Sequence, residues 1–141
     1  LFTIYTIPLG DIAKKYGLKY HLYADDTQLY ISFEPLNNAS VLCSIQNIEC
    51  CVKEIKAWMS ANMLKLNGDK TEILFITSSH LKHKTPMHTV EIDSIPITPS
   101  VSVRNLGAVF DSTLDTALFI NLKCKSARYT VYIISAKSAG A

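Results

Sequence analysis

One run of apolar residues limits the fold of this 141-residue chain more than any other feature. Between residues 38 and 61, apolar side chains recur in alternating steps of four and three residues, at Val41, Ile45, Ile48, Val52, Ile55 and Met59. This spacing places all six side chains on one face of an α-helix. We expect that face to pack on a β-sheet, with Trp58 beside its end.

Strand-forming segments lie on both sides of this helix. Residues 18–24 and 27–33 are rich in Leu, Tyr, Ile and Phe, and only Asp25 and Asp26 separate them. Two such segments around a two-residue joint predict a β-hairpin. Further strands are predicted at residues 72–77, 90–97 and 101–110.

Helical patterns occur at both ends of the chain. Residues 1–16 have apolar side chains near helical spacing, with Pro8 as a kink or break and Gly17 as the expected C-cap. Residues 118–134 predict a last helix. Helices and strands do not alternate regularly, which favours an α+β fold with a largely antiparallel sheet.

Composition narrows the class of protein. With 48% apolar and 18% charged residues, the chain belongs among packed globular proteins, and its length suits one domain at most. Its net charge of +2 is too small to indicate nucleic-acid binding by itself. The apolar runs are too short to span a membrane, and no secretory signal is visible. We therefore expect an intracellular chain without a membrane partner; its oligomeric state stays open.

The four cysteines do not suggest a metal site. They lack the C-x-x-C spacing of zinc sites. Cys43 and Cys50 are seven residues apart on the predicted helix and therefore share a face. We expect them to be buried, reduced thiols.

Asp25 and Asp26, called the acidic pair below, form the most informative polar feature. Neighbouring carboxylates repel each other unless a cation lies between them. Mg²⁺ binds oxygen ligands and commonly combines one or two carboxylates with substrate phosphates. Two such ions can stabilise the attacking and leaving oxygens of a phosphoryl transfer. The alternative is an ordinary turn, in which Asp is common, and the pair alone does not decide between them.

The sequence around the acidic pair resembles a known enzyme family. "YADD" at 23–26 resembles the metal-binding hairpin of reverse transcriptases. "WMSANMLKLNGDKTEILFI" (58–76) and "VRNLGAVFDSTL" (103–114) resemble the two segments that follow this hairpin in the enzymes of LINE-like, non-LTR retrotransposons. The opening 30 residues are similar to the run that precedes it. The resemblance covers about residues 1–126 in the family's order.

This resemblance implies a fold and an activity. The fold would be part of a polymerase palm, a small and mostly antiparallel sheet carrying the YADD hairpin, with one long amphipathic helix packed on it. Residues 1–114 would form the C-terminal part of the palm, and residues 115–141 the start of a thumb helix. The parent enzyme would be an RNA-directed DNA polymerase, a nucleotidyltransferase that uses an RNA template, a DNA primer, deoxynucleotides and Mg²⁺ or Mn²⁺. It would work in the nucleus or cytoplasm.

The resemblance also implies roles for individual residues. Asp25 would be the principal metal ligand and Asp26 a weaker or indirect one. Tyr23 and Ala24 would border the primer end and the incoming nucleotide. Lys70 would be the general acid for the leaving pyrophosphate, a role that its proton and positive charge suit. The alternative for Lys70 is a solvated lysine in a turn.

Two further groups of residues could meet nucleic acid. Leu106 and Gly107 would lie in the primer grip, where glycine lets the backbone approach phosphate closely; a bulge or a simple turn is the alternative. Basic side chains could also contact the phosphate backbone, or only form a hydrated surface. They are Lys82, Lys84, Lys123, Lys125 and Arg128.

The same resemblance implies an incomplete site. In this family another metal-binding aspartate lies on a strand far upstream of YADD, and Leu1 follows that region. We therefore expect a fragment that is inactive alone, with a hairpin edge left unpaired and open to association. The alternative is a non-catalytic, nucleic-acid-binding or structural remnant of a decayed retroelement.

Overall fold

The structure is a computed structural model that describes residues 7–23, 26–34, 36–66, 70–76, 88–100, 102–105, 108–111 and 130–139. Within these ranges there are two helices, α1 (Ile7–Lys15) and α2 (Asn38–Ala61). The strands are β1 (Lys19–Tyr23), β2 (Asp26–Phe33), β3 (Lys65–Leu66), β4 (Glu72–Ile76), β5 (Val90–Ile92), β6 (Ile95–Ile97), β7 (Ser102–Asn105), β8 (Ala108–Asp111) and β9 (Thr130–Ala139). The fold is a small α+β fold, as the sequence predicts.

The predicted long helix is confirmed with the same bounds, residues 38–61. All six residues of its predicted apolar face are buried, and Trp58 packs half-buried against the same core. Its first turn is capped by Asn37, whose side-chain oxygen accepts a hydrogen bond from the N–H of Ser40 at 3.2 Å. Local sequence therefore sets both the start and the orientation of α2.

α1 begins at Ile7, one residue before Pro8. Proline has no backbone N–H, but the N–H groups of the first helical turn have no partner within the helix, so no hydrogen bond is lost. The predicted C-cap at Gly17 is confirmed. Gly17 has φ +73°, and its N–H donates to the carbonyl of Lys14 at 3.0 Å. The N–H of Leu18 donates to the carbonyl of Ala13 at 2.9 Å, which completes a Schellman motif. The rest of the predicted helix, residues 1–6, lies outside the described residues.

β9 is the central strand of the main sheet. It pairs antiparallel with β2 and with β4, so that the order is β1-β2-β9-β4, and β3 also pairs with β9. The helix predicted over residues 118–134 is therefore wrong from residue 130 onward; residues 118–129 lie outside the described part. The reason is that residues 130–134 are mostly β-branched and therefore prefer a strand. The strands β2 and β4 are available to pair with them.

The expectation of an unpaired hairpin edge is also wrong. β2 has β1 on one side and β9 on the other, with each of its residues from Asp26 to Phe33 opposite a residue of β9. The backbone groups on that edge of the hairpin are therefore paired within the chain itself.

The core lies between α2 and one face of this sheet. The sheet contributes Leu29 and Phe33 from β2 and Ile73 and Phe75 from β4, all of them buried. The rings of Phe33 and Phe75 pack with their centroids 5.6 Å apart, which is a favourable aromatic distance. β4 itself was predicted at nearly the same bounds.

The predicted single strands at 90–97 and 101–110 are wrong, because each segment forms a two-stranded hairpin. In the first, Asp93 and Ser94 both have positive φ, +54° and +63°, which matches the twist of a tight hairpin. This hairpin is held against α2. Lys56 forms a salt bridge with Asp93, and a Glu49 carboxylate oxygen accepts the N–H of Glu91 at 2.8 Å.

The cysteines of α2 differ from the prediction in which of them are buried. Cys43 and Cys50 share a face, but it is exposed, so their predicted burial is wrong. Cys51 is the buried thiol, and burial raises its pKa to about 12. Among the described residues, no helix has the length and apolar character needed to cross a membrane.

Glu54 joins the two helices. Its carboxylate accepts a hydrogen bond from the Tyr16 hydroxyl at 2.5 Å and forms a salt bridge with the Lys15 ammonium at 3.0 Å. The hydrogen bond from Tyr16, followed by that from Lys15, lowers the pKa of Glu54. Bonding to Glu54 in turn raises the pKa values of both partners.

We expect Glu54→Gln to lower the melting temperature more at pH 7 than at pH 3. A carboxyl group with a lowered folded-state pKa stabilises the fold above its unfolded pKa, and this stabilisation is lost as pH falls through the folded pKa. Thermal unfolding of both proteins at both pH values measures the difference. An equal gap at pH 3 and pH 7 would contradict the prediction.

We expect Gly17→Ala to lower the free energy of unfolding by about 1–2 kcal/mol, because a side chain disfavours the left-handed backbone. An added Cβ would meet nothing within 4 Å, so the loss reports the backbone alone. Gly17→Asn is the matched control and should lose less, since Asn tolerates this conformation. Urea unfolding measures both variants, and an unchanged alanine variant would refute the role of Gly17.

We expect a chain that ends at residue 129 to lose cooperative unfolding. Such a chain lacks β9, the shared partner of β2 and β4. A chain that ends at residue 139 is the control and should keep it. Near-ultraviolet circular dichroism during urea unfolding distinguishes them, and a cooperative transition in the shorter chain would show that β9 is dispensable.

Candidate functional site

The predicted hairpin is confirmed, with its joint displaced by one residue. Tyr23 lies opposite Asp26 in the β1–β2 ladder, so residues 24 and 25 connect the strands. The joint was predicted at Asp25-Asp26, but Asp26 is the first residue of β2. Ala24 and Asp25 lie outside the described residues.

Packing selects this register. Tyr20 lies opposite the buried Leu29, and its ring sits against α1 at Gly10. A Cβ added at Gly10 would come within 2.5 Å of that ring. Because α1 and the core hold β1 in this position, the turn residues do not set the register alone.

The hairpin has one core-facing side and one open side. Alternation along β2 sends Thr27, Leu29 and Phe33 to the core, where all three are buried. The alternate residues Gln28, Tyr30 and Ser32 lie on the other face of the sheet. We call that side the open face; its described hairpin residues are the exposed Lys19, His21 and Ser32 and the half-buried Gln28 and Tyr30. Asp26, as the first residue of β2, lies at one end of this sheet.

β9 contributes a residue to this end of the sheet that the sequence analysis did not identify as a candidate. Lys137 lies directly opposite Asp26 in the β2–β9 ladder. The two residues are 111 positions apart in the chain, so no local pattern could pair them. The end of the sheet that carries Asp26 therefore also carries a lysine.

Lys70 lies at this same end of the sheet. It is exposed, and β4 begins two residues after it, at Glu72. Glu72 lies opposite Ser135, which lies opposite Gln28 on β2. Two strand spacings, about 10 Å, separate β4 from β2. The general-acid role of Lys70 stays a prediction.

The other predicted residues are only partly described. Tyr23 is the last residue of β1. Leu106 and Gly107 lie outside the described residues, and they connect β7 to β8 where Asn105 is opposite Ala108. Contact with the nucleic-acid backbone stays a prediction for the basic residues, all of which lie outside the described ranges: Lys82, Lys84, Lys123, Lys125 and Arg128.

The donor set at this end suits a divalent cation only in part. Carboxylate oxygens such as those of the acidic pair are suitable ligands for Mg²⁺. The residue opposite Asp26 is a lysine, whose ammonium group donates hydrogen bonds and has no lone pair for a metal. Within the described ranges, no three His, Cys, Asp or Glu residues are grouped so that they could hold a metal ion.

Comparison with protein families, with curated proteins and with solved structures produced no match to this chain. The candidate site is therefore defined by its own residues: the acidic pair at the hairpin, Lys137 opposite Asp26, and Lys70 at the same end of the sheet. The signal that could have found Lys137 is the strand-forming run "TVYII" at 130–134, which predicts a strand leading toward it.

Proposed function

We propose that this chain is the C-terminal part of the palm of an RNA-directed DNA polymerase of the LINE-like, non-LTR type. The observation that carries the proposal is the placement of two adjacent acidic residues where two antiparallel strands are joined by two residues. The long helix on the opposite face of the sheet supports it further, because it gives the hairpin a rigid base.

In the parent enzyme, Asp25 is the principal ligand of Mg²⁺ or Mn²⁺ and Asp26 a weaker one. The bound metal would supply Lewis-acid stabilisation of the attacking and leaving oxygens. Tyr23 and Ala24 border the primer end and the incoming deoxynucleotide. A paired ladder on both sides of β2 limits the movement of Asp26, and such preorganisation is what an electrostatic site requires.

The remaining assignments concern the leaving group and the primer. Lys70, which is exposed, protonates the leaving pyrophosphate as general acid. Leu106 and Gly107 contact the backbone of the growing strand. The basic residues would hold the RNA template and the DNA primer through contacts with phosphate. Because such contacts weaken as salt rises, the affinity for nucleic acid should fall at high salt.

A second candidate function is a non-catalytic, nucleic-acid-binding or structural remnant of a retroelement. One observation favours it: the residue opposite Asp26 in the β2–β9 ladder is Lys137, and a lysine ammonium is not a metal ligand. On this hypothesis the hairpin keeps its shape while its metal-binding capacity is low.

The reading frame extended in the 5′ direction provides the test. We expect it to encode a further acidic strand, and the longer protein to incorporate deoxynucleotides on an RNA template with Mg²⁺ or Mn²⁺. Asp25→Asn should lower the rate by more than the roughly 10–100-fold that loss of an outer-shell partner costs. Asp26→Asn should lower it less.

Asp11→Asn is the matched control, because Asp11 is an exposed residue of α1 and not one of the proposed site residues; its rate should equal that of the unmodified protein. The 141 residues alone should extend no primer. A stop codon directly upstream, or an inactive longer protein, would favour the second candidate. Primer extension by the 141 residues that Asp25→Asn abolishes would contradict the proposed incompleteness.

A further inference from the structure

The outer side of α2 carries almost no charge. Of the fully exposed residues of this helix, only Lys53 is charged. The solvent side of an amphipathic helix usually carries charged residues, which keep it in water. The outer side of α2 therefore has the composition of a surface that contacts protein.

Small residues follow one line along this outer side. With 3.6 residues per turn, five exposed residues lie within about 20° of a single line parallel to the helix axis. They are Ala39, Cys43, Cys50, Ala57 and Ala61. We call these five residues the outer stripe. Small side chains let the backbone of another helix approach closely.

The charged residues beside the outer stripe have partners within the chain. On one side, the Glu54 carboxylate accepts a hydrogen bond from the Tyr16 hydroxyl and forms a salt bridge with Lys15. On the other side, Lys56 forms a salt bridge with Asp93. A protein that covers the stripe therefore needs no opposite charges of its own, and an identical uncharged stripe suits it.

The outer stripe is symmetric about Cys50. Ala39 and Ala61 are each 11 residues from Cys50, in opposite directions, and Cys43 and Ala57 are each 7 residues from it. Protein dimers most often have a two-fold axis, which brings the same patch of both copies together. With that axis at Cys50, a second α2 running antiparallel would place small residues against small residues along the whole stripe.

The geometry of such a helix pair suits a disulfide at Cys50. Packed helices have their axes about 8–10 Å apart, and each Cα lies about 2.3 Å from its axis. At an interaxial distance of about 10 Å, the Cα atoms of the two Cys50 residues would be about 5 Å apart. Disulfides usually have Cα atoms about 4.4–6.8 Å apart. Lys53 would lie opposite Asn47 of the second copy, so that no like charges face each other.

The stripe alone is too small for a stable dimer. A helix of 24 residues is about 36 Å long, and a contact about 10 Å wide along it covers roughly 360 Å² on each copy. Stable interfaces bury about 800 Å² on each partner. We therefore expect a weak contact in the reduced protein and a lasting one only when a covalent bond joins the copies.

We propose that the outer stripe is the contact surface for a second copy of this chain, and that a disulfide between the two Cys50 residues locks the contact. The oxidant is a small disulfide such as oxidised glutathione. The Cys50 thiolate of one copy attacks it and releases one small thiol, and the Cys50 thiolate of the other copy then displaces the second. One S–S bond forms, the S–S bond of the oxidant breaks, and the two small thiols carry away the two protons. This inference does not depend on the proposed function.

Non-reducing electrophoresis and analytical ultracentrifugation after incubation with oxidised glutathione test the proposal. We expect a disulfide-linked dimer from the unmodified chain and its loss in Cys50→Ser. Cys43→Ser and Cys124→Ser are the controls and should form the dimer as the unmodified chain does. A chain that stays monomeric under these conditions, or a dimer that survives Cys50→Ser, would overturn the proposal.

Further variants test the antiparallel alignment. When Cys50→Ser is combined with Ala57→Cys, Cys43 of each copy should form a disulfide with the new thiol at position 57 of the other, which restores the dimer. Peptide mass spectrometry identifies that bond, and its absence would rule out the alignment. Ala57→Glu should slow dimer formation although Cys50 is intact. Asn38→Glu, at an exposed position of α2 outside the stripe, is the matched control, and equal slowing by both would exclude the outer stripe as the contact.

Discussion

Backbone pairing of β9 with both β2 and β4 is the interaction on which the rest of the structure depends. It joins the hairpin, which belongs to the first quarter of the chain, to a strand beyond α2. Without that joint, Leu29 and Ile73 would belong to separate pieces of sheet, and α2 would lack one continuous surface to cover. Closing so large a loop is entropically costly, and two ladders with a shared apolar core offset that cost.

The same pairing decides the chemistry of the hairpin. α2 covers one face of the sheet, which leaves polar hairpin residues such as His21 and Gln28 on the other face. It also sets which residue borders the start of β2, because Lys137 is the residue opposite Asp26 in the β2–β9 ladder.

Sequence reasoning succeeded where one segment carries the whole signal. The bounds of α2 follow from its apolar periodicity and the Asn37 cap, and the end of α1 follows from Gly17. It failed where an environment decides between alternatives. Residues 130–134 have apolar spacing that fits a helix as well as a strand, and the available partners β2 and β4 select the strand. The tight turn at Asp93 and Ser94 likewise depends on two residues in an uncommon conformation.

The amino-acid sequence by itself determined α2, the C-terminal end of α1, the strand-forming character of the hairpin and the adjacency of Asp25 and Asp26, because these depend on residues within a few positions of one another. Only the tertiary structure decided which residue stands opposite Asp26. That choice places Lys137 there because the apolar residues of β9 must meet those of β2 and β4, an interaction between segments about 60 to 110 positions apart.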